Sequence, residues 1–121
     1  MYKQKPTRGK QMFGKRFKKI RAWNCYSFLA VHIVNELKAF KKYNVHTVPL
    51  DFHKENGDNG TKDWHDVVDK MIWSFEEISN DYPHAPKIVN NSLNKDDFKQ
   101  YRAKIDEGLN LFVKHFEELW D

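Results

Sequence analysis

Apolar residues recur every three or four positions in three separate stretches, and this spacing constrains the fold more than any other feature. It places the apolar side chains on one face of an α-helix. The first predicted helix begins near Asn24, a residue type that caps helices, and ends near Lys42. The second runs from about Thr61 or Asp63 to Ser79.

The third predicted helix has the strongest pattern. It begins near Asn94, with Asp97 three residues later at a spacing close to that of a capping box, and continues to Trp120. The three apolar stripes are Tyr26, Leu29, Ala30, Ile33, Leu37 and Phe40; Trp64, Val67, Val68, Met71, Ile72, Phe75 and Ile78; and Phe98, Tyr101, Ile105, Leu109, Phe112, Phe116 and Leu119.

Three amphipathic helices of this kind predict an all-α fold, a compact bundle of three main helices with a long ordered loop and a basic N-terminal arm. Residues 1–22 form the predicted arm and residues 23–121 a single helical domain. The stripes are expected to face one another, with Ile33, Phe75 and Phe112 deeply buried. Trp73 falls off its stripe and is expected either to be exposed or to contact another element.

The two connections carry turn signals. Residues 43–61 contain Pro49 and two Asn-Gly pairs, and residues 80–93 contain two prolines. A loop as long as the first is often functional or mobile. We expect four side chains to hold its first half against the body: His46, Val48, Leu50 and Phe52.

Charge is distributed unevenly along the chain. Residues 1–22 contain nine Lys or Arg and no acid, whereas residues 63–121 carry seven basic and thirteen acidic groups. A cationic arm attracts polyanions such as nucleic acid, nucleotides or an acidic protein face. The alternative is a solvated tail that only aids solubility.

The arm leads directly into an aromatic segment. We predict phosphate binding by Lys15, Arg16, Lys18, Lys19 and Arg21 and base stacking by Phe17, Trp23 and Tyr26. Cations neutralise phosphates, and aromatic faces stack on bases. Taken without the cations, Trp23 and Tyr26 are more typical of a helical core.

Signals for catalysis are weak. The chain has no phosphate-cradling glycine loop, no paired cysteines and no His-Glu-x-x-His run, so the prediction is a protein that is not an enzyme and needs no cofactor. Three pairs have the spacing of metal ligands on a helix, but solvated faces commonly carry such pairs, and we predict no metal site. They are His32 with Glu36, His65 with Asp69, and His115 with Glu118.

The lone Cys25 is expected to be a buried structural residue, since no partner marks it as a nucleophile. A single cysteine forms no internal disulfide, which suits a reducing cytoplasm. No run of about 18 apolar residues exists, so no membrane contact is expected.

Several segments resemble a family of small proteins encoded by tailed bacteriophages and prophages, a family without a settled function. The similar segments are Phe17, the run from Trp23 to Ala30, His46-Thr47-Val48-Pro49, the run from Trp64 to Glu76, Gly108 to Phe112, Phe116, and the ending Leu119-Trp120-Asp121. The chain departs from the family at Arg16 and Arg21, where Gly and Asp are common, and at Thr47, where Gly is common. The resemblance implies a viral protein working in the host bacterial cytoplasm.

Three functions remain open for such a protein. The first is a counter-defence binder that sequesters a small nucleotide signal, cyclic forms included, or blocks a host defence protein. The second is a nucleic-acid-binding accessory protein, and the third is a structural or assembly protein of the particle. Because one short segment offers few walls for a ligand, a homo-oligomer with the ligand at a subunit boundary is also expected.

Overall fold

The computed structural model describes residues 22–44 and 47–120. Within these ranges the chain forms three α-helices: α1 (Cys25–Tyr43), α2 (Thr61–Ser79) and α3 (Lys95–His115). Two single-turn 3-10 helices cover Leu50–Phe52 and Phe116–Glu118. No strand occurs among these residues, where β pairing is limited to one isolated bridge. The all-α fold predicted from the sequence is therefore confirmed.

Helix α2 lies at the centre of the fold. Lys38 of α1 pairs with Glu76 of α2 at 2.9 Å, and Lys41 pairs with Asp69 at 2.6 Å, so α1 runs antiparallel to α2. Helix α3 also packs against α2, but no Cα atoms of α1 and α3 lie within 8 Å of each other. The apolar stripes of α1 and α3 therefore face each other across a gap, while both helices pack directly on α2.

A glycine allows α3 to approach α2 closely. A Cβ atom at Gly108 would overlap the Ser74 hydroxyl and the carbonyl oxygen of Lys70. Without it, the buried Ser74 hydroxyl donates a 2.9 Å hydrogen bond to the carbonyl oxygen of Ile105. Gly108 therefore determines the distance between the two helices at this crossing.

The core lies mainly on α2. Five of its apolar side chains are buried, namely Trp64, Val68, Met71, Ile72 and Phe75. Ile105 of α3 and three residues of α1 are buried with them: Ala30, Val34 and Leu37. The predicted burial of Phe75 is confirmed. For Ile33 and Phe112 the prediction is wrong, because both are only partly buried. They line the space between α1 and α3, where the two helix backbones do not meet.

The long loop is anchored by the ring of Phe52, which contacts the rings of both Trp64 and His115. The Phe52 ring centroid lies 5.4 Å from that of Trp64, and Val48 packs against the same core. Leu50, in contrast, is exposed, so its predicted anchoring role is wrong. His46 lies outside the described residues. Gly60 ends the loop with φ of 74°, and a Cβ there would overlap the Phe52 backbone.

The predicted helix starts differ in their capping. The side chain of Asn94 accepts hydrogen bonds from the backbone N–H groups of Asp96 and Asp97, as expected for an N-cap. Asn24 precedes α1, but its side chain makes no capping hydrogen bond. Helix α3 ends at His115, five residues before the predicted end, and continues only as a 3-10 turn.

Two residues of the third predicted stripe are exposed, namely Phe98 and Phe116. Phe98 lies in the first turn of α3, and Phe116 begins the 3-10 turn after α3. Both therefore lie near the ends of the stripe, whereas Ile105 between them is fully buried.

Candidate ligand-binding site

The predicted phosphate-binding residues lie outside the described ranges, and so does one of the predicted stacking residues. These are Lys15, Arg16, Lys18, Lys19 and Arg21, together with Phe17. The structure describes the other two stacking residues, Trp23 and Tyr26, at the start of α1. Their surroundings give the geometry of the candidate site.

Trp23 and Tyr26 are exposed rather than part of the core. Trp23 exposes 77% of its surface and Tyr26 55%. The first fully buried residue of α1 is Ala30, so the first turn of the helix extends past the packed core. Both rings are therefore accessible to a ligand, which is the condition that stacking requires.

Tyr26 also forms part of a shallow cleft of about 350 Å³, which we call the tyrosine cleft. It lies between the start of α1 and the end of α2 and is lined by Tyr26, Leu29, Ala30, Ile33, Phe75, Ile78 and Tyr82. Its volume falls at the lower end of the range of small-molecule sites, and a lining of apolar and aromatic side chains is typical of them.

The second tyrosine of the cleft is positioned by the end of α2. Asp81 adopts a left-handed conformation with φ of 61°, and the backbone N–H of Tyr82 donates to the carbonyl oxygen of Glu77 at 2.7 Å. With a longer bond from the Asp81 N–H to Ile78, this is the Schellman pattern that terminates many helices. The turn brings Tyr82 back over the cleft.

A buried carboxylate holds the same turn. Glu77 accepts a 2.8 Å hydrogen bond from the Tyr101 hydroxyl and one from the backbone N–H of His84, while Nδ1 of His84 lies 2.7 Å from its other oxygen. Burial by itself would raise the pKa of Glu77, but the hydrogen bonds from His84 and Tyr101 outweigh it and lower the pKa below its usual value. The network connects α2, the following loop and α3.

The pKa of Tyr101 is shifted in the opposite direction. Burial and the hydrogen bond to the Glu77 carboxylate raise the pKa of its hydroxyl above the usual value, because both disfavour a phenolate there. Tyr101 therefore remains a neutral hydrogen-bond donor and is not a candidate acid–base group.

A second concave region, which we call the α1–α3 groove, shares the lining residue Ile33 with the tyrosine cleft. It measures about 410 Å³. It is lined by His32, Ile33, Glu36, Leu37, Ala39, Phe40, Phe112, Phe116 and Leu119. The groove occupies the gap between α1 and α3.

Trp73 contacts another element rather than standing free. Its ring lies edge-on to that of Tyr101, with centroids 6.0 Å apart, and Nζ of Lys104 lies 4.1 Å from the ring centroid. The second alternative given for Trp73 by the sequence is therefore confirmed. Both contacts stabilise the packing of α3 on α2.

Of the three histidine–acid pairs, one forms a short contact in the structure. Nδ1 of the buried His115 lies 2.7 Å from Glu118, and its ring packs 5.4 Å from Trp64. The residues that the structure describes contain no group of three or more His, Cys, Asp or Glu side chains able to hold a metal ion. The contact of His115 with an aromatic cluster accounts for its burial.

Cys25 is exposed, so the expectation of a buried structural cysteine is wrong. It lies in the same protruding first turn of α1 as Tyr26.

Among the described residues no helix is both long enough and apolar enough to cross a membrane.

Sequence reasoning identified Tyr26 but missed Tyr82. The signal was present as Asn80-Asp81 followed by Pro83, a sequence that suits a left-handed helix end. Such a signal predicts a turn, but it does not predict which side chain the turn directs onto the helix pair.

Comparison with known proteins identifies no relative of this chain. No protein-family model, curated protein or solved structure matches the chain.

Proposed function

We propose that this protein is a non-catalytic binding protein that holds a small phosphate-bearing nucleotide at the start of α1. The observation that carries the proposal is the tyrosine cleft. Its first lining residue, Tyr26, comes shortly after the most cationic segment of the chain. The cleft supplies apolar and aromatic walls for a base, and the cations supply charge for the phosphates. Neither part needs to perform chemistry on the ligand.

The two parts meet different requirements of a nucleotide. A guanidinium such as that of Arg16 or Arg21 can grip two phosphate oxygens at once. A base gains about 1–3 kcal/mol by stacking on an aromatic ring. Tyr26 and Tyr82 line the tyrosine cleft. The exposed Trp23 lies three residues before Tyr26 in the sequence. A second subunit that covers the open side of the cleft would complete the pocket.

Together with the resemblance to small phage proteins, this site favours a counter-defence role in the host bacterial cytoplasm. In that role the protein binds a nucleotide signal, cyclic forms included. The bound signal can then no longer activate the host defence protein. The counter-defence role has a second form, in which the protein blocks a host defence protein directly and binds no nucleotide. A sequestering protein needs tight binding but no turnover, which agrees with the absence of catalytic signatures from the sequence.

Nucleic-acid binding is the alternative, and the charged arm favours it. The C-terminal half opposes it, since residues 63–121 carry thirteen acids against seven basic groups. An acidic body repels a long duplex that lies across it, whereas a small nucleotide contacts only the cationic end.

Calorimetry of the full chain against a ligand panel tests the proposal. The panel contains cyclic di- and trinucleotides, cyclic ADP-ribose forms and short duplex DNA. We expect saturable binding of one nucleotide class, weakened at least about tenfold by changing Arg16 and Arg21 to Ala, since hydrogen bonds to charged groups contribute roughly 1.5–3 kcal/mol.

Lys99→Ala is the matched control, because Lys99 is an exposed cation on α3 away from the cleft. It should leave the nucleotide affinity unchanged. Binding of duplex DNA alone, with a steep dependence on salt, would favour the nucleic-acid alternative. No binding to any member of the panel would contradict both and leave a protein target.

A further inference from the structure

The long loop contains two Asn-Gly pairs, and the structure places them in different surroundings. Asn56 and Gly57 are both exposed, and a Cβ atom at Gly57 would meet no atom within 4 Å. Gly60 is buried, and a Cβ there would overlap the backbone of Phe52. The first pair therefore lies open to solvent, whereas the second is packed against the residue that anchors the loop.

An asparagine that precedes a glycine can react with its own backbone. The backbone nitrogen of the glycine attacks Cγ of the asparagine, and a succinimide ring closes within the chain. The bond from Cγ to the side-chain nitrogen breaks, and this nitrogen leaves as ammonia with the proton that the glycine N–H has given up. Glycine favours the reaction because it has no side chain to obstruct the attack. Water then opens the ring at either carbonyl carbon and leaves aspartate or isoaspartate.

The attack requires the glycine N–H to lose its proton, and the two glycines differ in what accepts that N–H. The N–H of Gly60 donates to Oδ1 of Asp58 at 2.8 Å. A carboxylate at this distance opposes a negative charge on the nitrogen, because like charges repel and the hydrogen bond stabilises the protonated form. The N–H of Gly57 donates at 3.2 Å to a neutral acceptor, the carbonyl oxygen of Lys54. Loss of the proton is therefore easier at Gly57.

The two asparagine side chains are also held differently. The side-chain oxygen of Asn59 accepts hydrogen bonds from the backbone N–H of Thr61 at 3.2 Å and from its hydroxyl at 2.7 Å. Thr61 is the first residue of α2, so a rotation at Asn59 would disturb the start of the helix. The side-chain oxygen of Asn56 accepts from the backbone N–H of Asp58 at 3.0 Å, within an exposed turn that belongs to no helix. Ring closure therefore disturbs less of the structure at Asn56.

We propose that Asn56 is a site of spontaneous deamidation and that the fold protects Asn59 from the same reaction. The only co-reactant is water, and no enzyme or cofactor takes part. Each deamidated chain gains one negative charge in the loop before α2. The inference concerns this loop and does not rest on the proposed nucleotide binding.

Incubation of the full chain at mildly alkaline pH in water enriched in heavy oxygen tests the inference. Ring opening takes one oxygen from the solvent, and fragmentation of the peptide between Lys54 and Lys62 in a mass spectrometer shows which asparagine carries it. We expect heavy oxygen to accumulate at Asn56 at least about tenfold faster than at Asn59, since only the second site must give up a hydrogen bond to a charged acceptor.

Two variants assign the signal. Asn56→Gln should remove most of the heavy oxygen from this peptide, because the longer side chain closes the ring poorly. Asn59→Gln is the matched control and should leave the uptake at Asn56 unchanged.

The unfolded chain separates the effect of the fold from that of the sequence. In guanidinium chloride both Asn-Gly pairs should react at similar rates, because the local sequence is then the only influence. Equal rates at Asn56 and Asn59 in the folded protein, or a faster reaction at Asn59, would overturn the inference. It would also be overturned if Asn56 reacted in the unfolded chain but not in the folded protein.

Discussion

At the scale of single residues, Glu77 makes the most consequential polar contacts. It is buried and accepts hydrogen bonds from Tyr101 and from the backbone of His84. We expect Glu77→Gln to lower the free energy of unfolding at pH 7 by about 1–3 kcal/mol, because an amide cannot accept all of these donors. Urea unfolding of both proteins measures the difference. Glu107→Gln, which removes an exposed carboxylate on α3, should change the free energy by less than about 0.5 kcal/mol.

The lowered pKa of Glu77 gives this effect a pH dependence. A carboxylate whose pKa is lower in the folded state stabilises the fold above its unfolded pKa of about 4.3, and this contribution is lost as pH falls through the folded value. The difference between wild type and Glu77→Gln should therefore shrink below about pH 4. A difference that stays constant down to pH 2 would show that the charge of Glu77 does not contribute.

Gly108 tests the close approach of α2 and α3. In an isolated helix, Gly→Ala stabilises by about 1 kcal/mol. Here the new Cβ would overlap the Ser74 hydroxyl and the Lys70 carbonyl oxygen, so we expect Gly108→Ala to destabilise by roughly 1–3 kcal/mol. Thermal unfolding should show a lower melting temperature, whereas Asn110→Ala at an exposed site of the same helix should not lower it. Equal or higher stability of Gly108→Ala would mean that the helices are further apart than described.

At the scale of elements, two asparagines at helix starts provide a matched pair. The side chain of Asn94 caps α3, whereas that of Asn24 does not cap α1. Asn94→Ala should therefore cost about 1 kcal/mol of unfolding free energy, and Asn24→Ala close to none. Denaturant unfolding of the two variants compares them directly. Equal losses would contradict the difference in capping.

The helices themselves could be predicted because each carries its own periodic signal. The second helix, Thr61–Ser79, was predicted within the alternatives given, and α1 differs by one residue at each end. The end of α3 could not be predicted, since the apolar spacing continues through Phe116 and Leu119 although the helix stops at His115. A stripe shows which side of a helix is apolar, but not where neighbouring elements cease to cover it.

At the scale of the whole molecule, the arrangement of the helices was harder to predict than their positions. Nothing in the stripes indicates that α2 takes both neighbours and that α1 and α3 stay apart. Ile33 and Phe112 were therefore predicted as core residues, although they line the α1–α3 groove. Similarly, Tyr26 was predicted as a stacking residue, but the cleft that it forms with Tyr82 depends on the turn after α2.

The central claim is that the tyrosine cleft binds the base of a nucleotide, and Tyr82→Ala tests it most directly. Tyr82 is the cleft residue that only the structure reveals. The change should weaken binding of the best ligand of the panel by about five- to 150-fold, corresponding to the roughly 1–3 kcal/mol of a stacked base. Calorimetry of a variant with wild-type circular dichroism measures this effect. Tyr43→Ala, which removes an exposed tyrosine at the far end of α1, should leave the dissociation constant unchanged. A Tyr82→Ala protein that binds the nucleotide as tightly as the wild type would contradict the account.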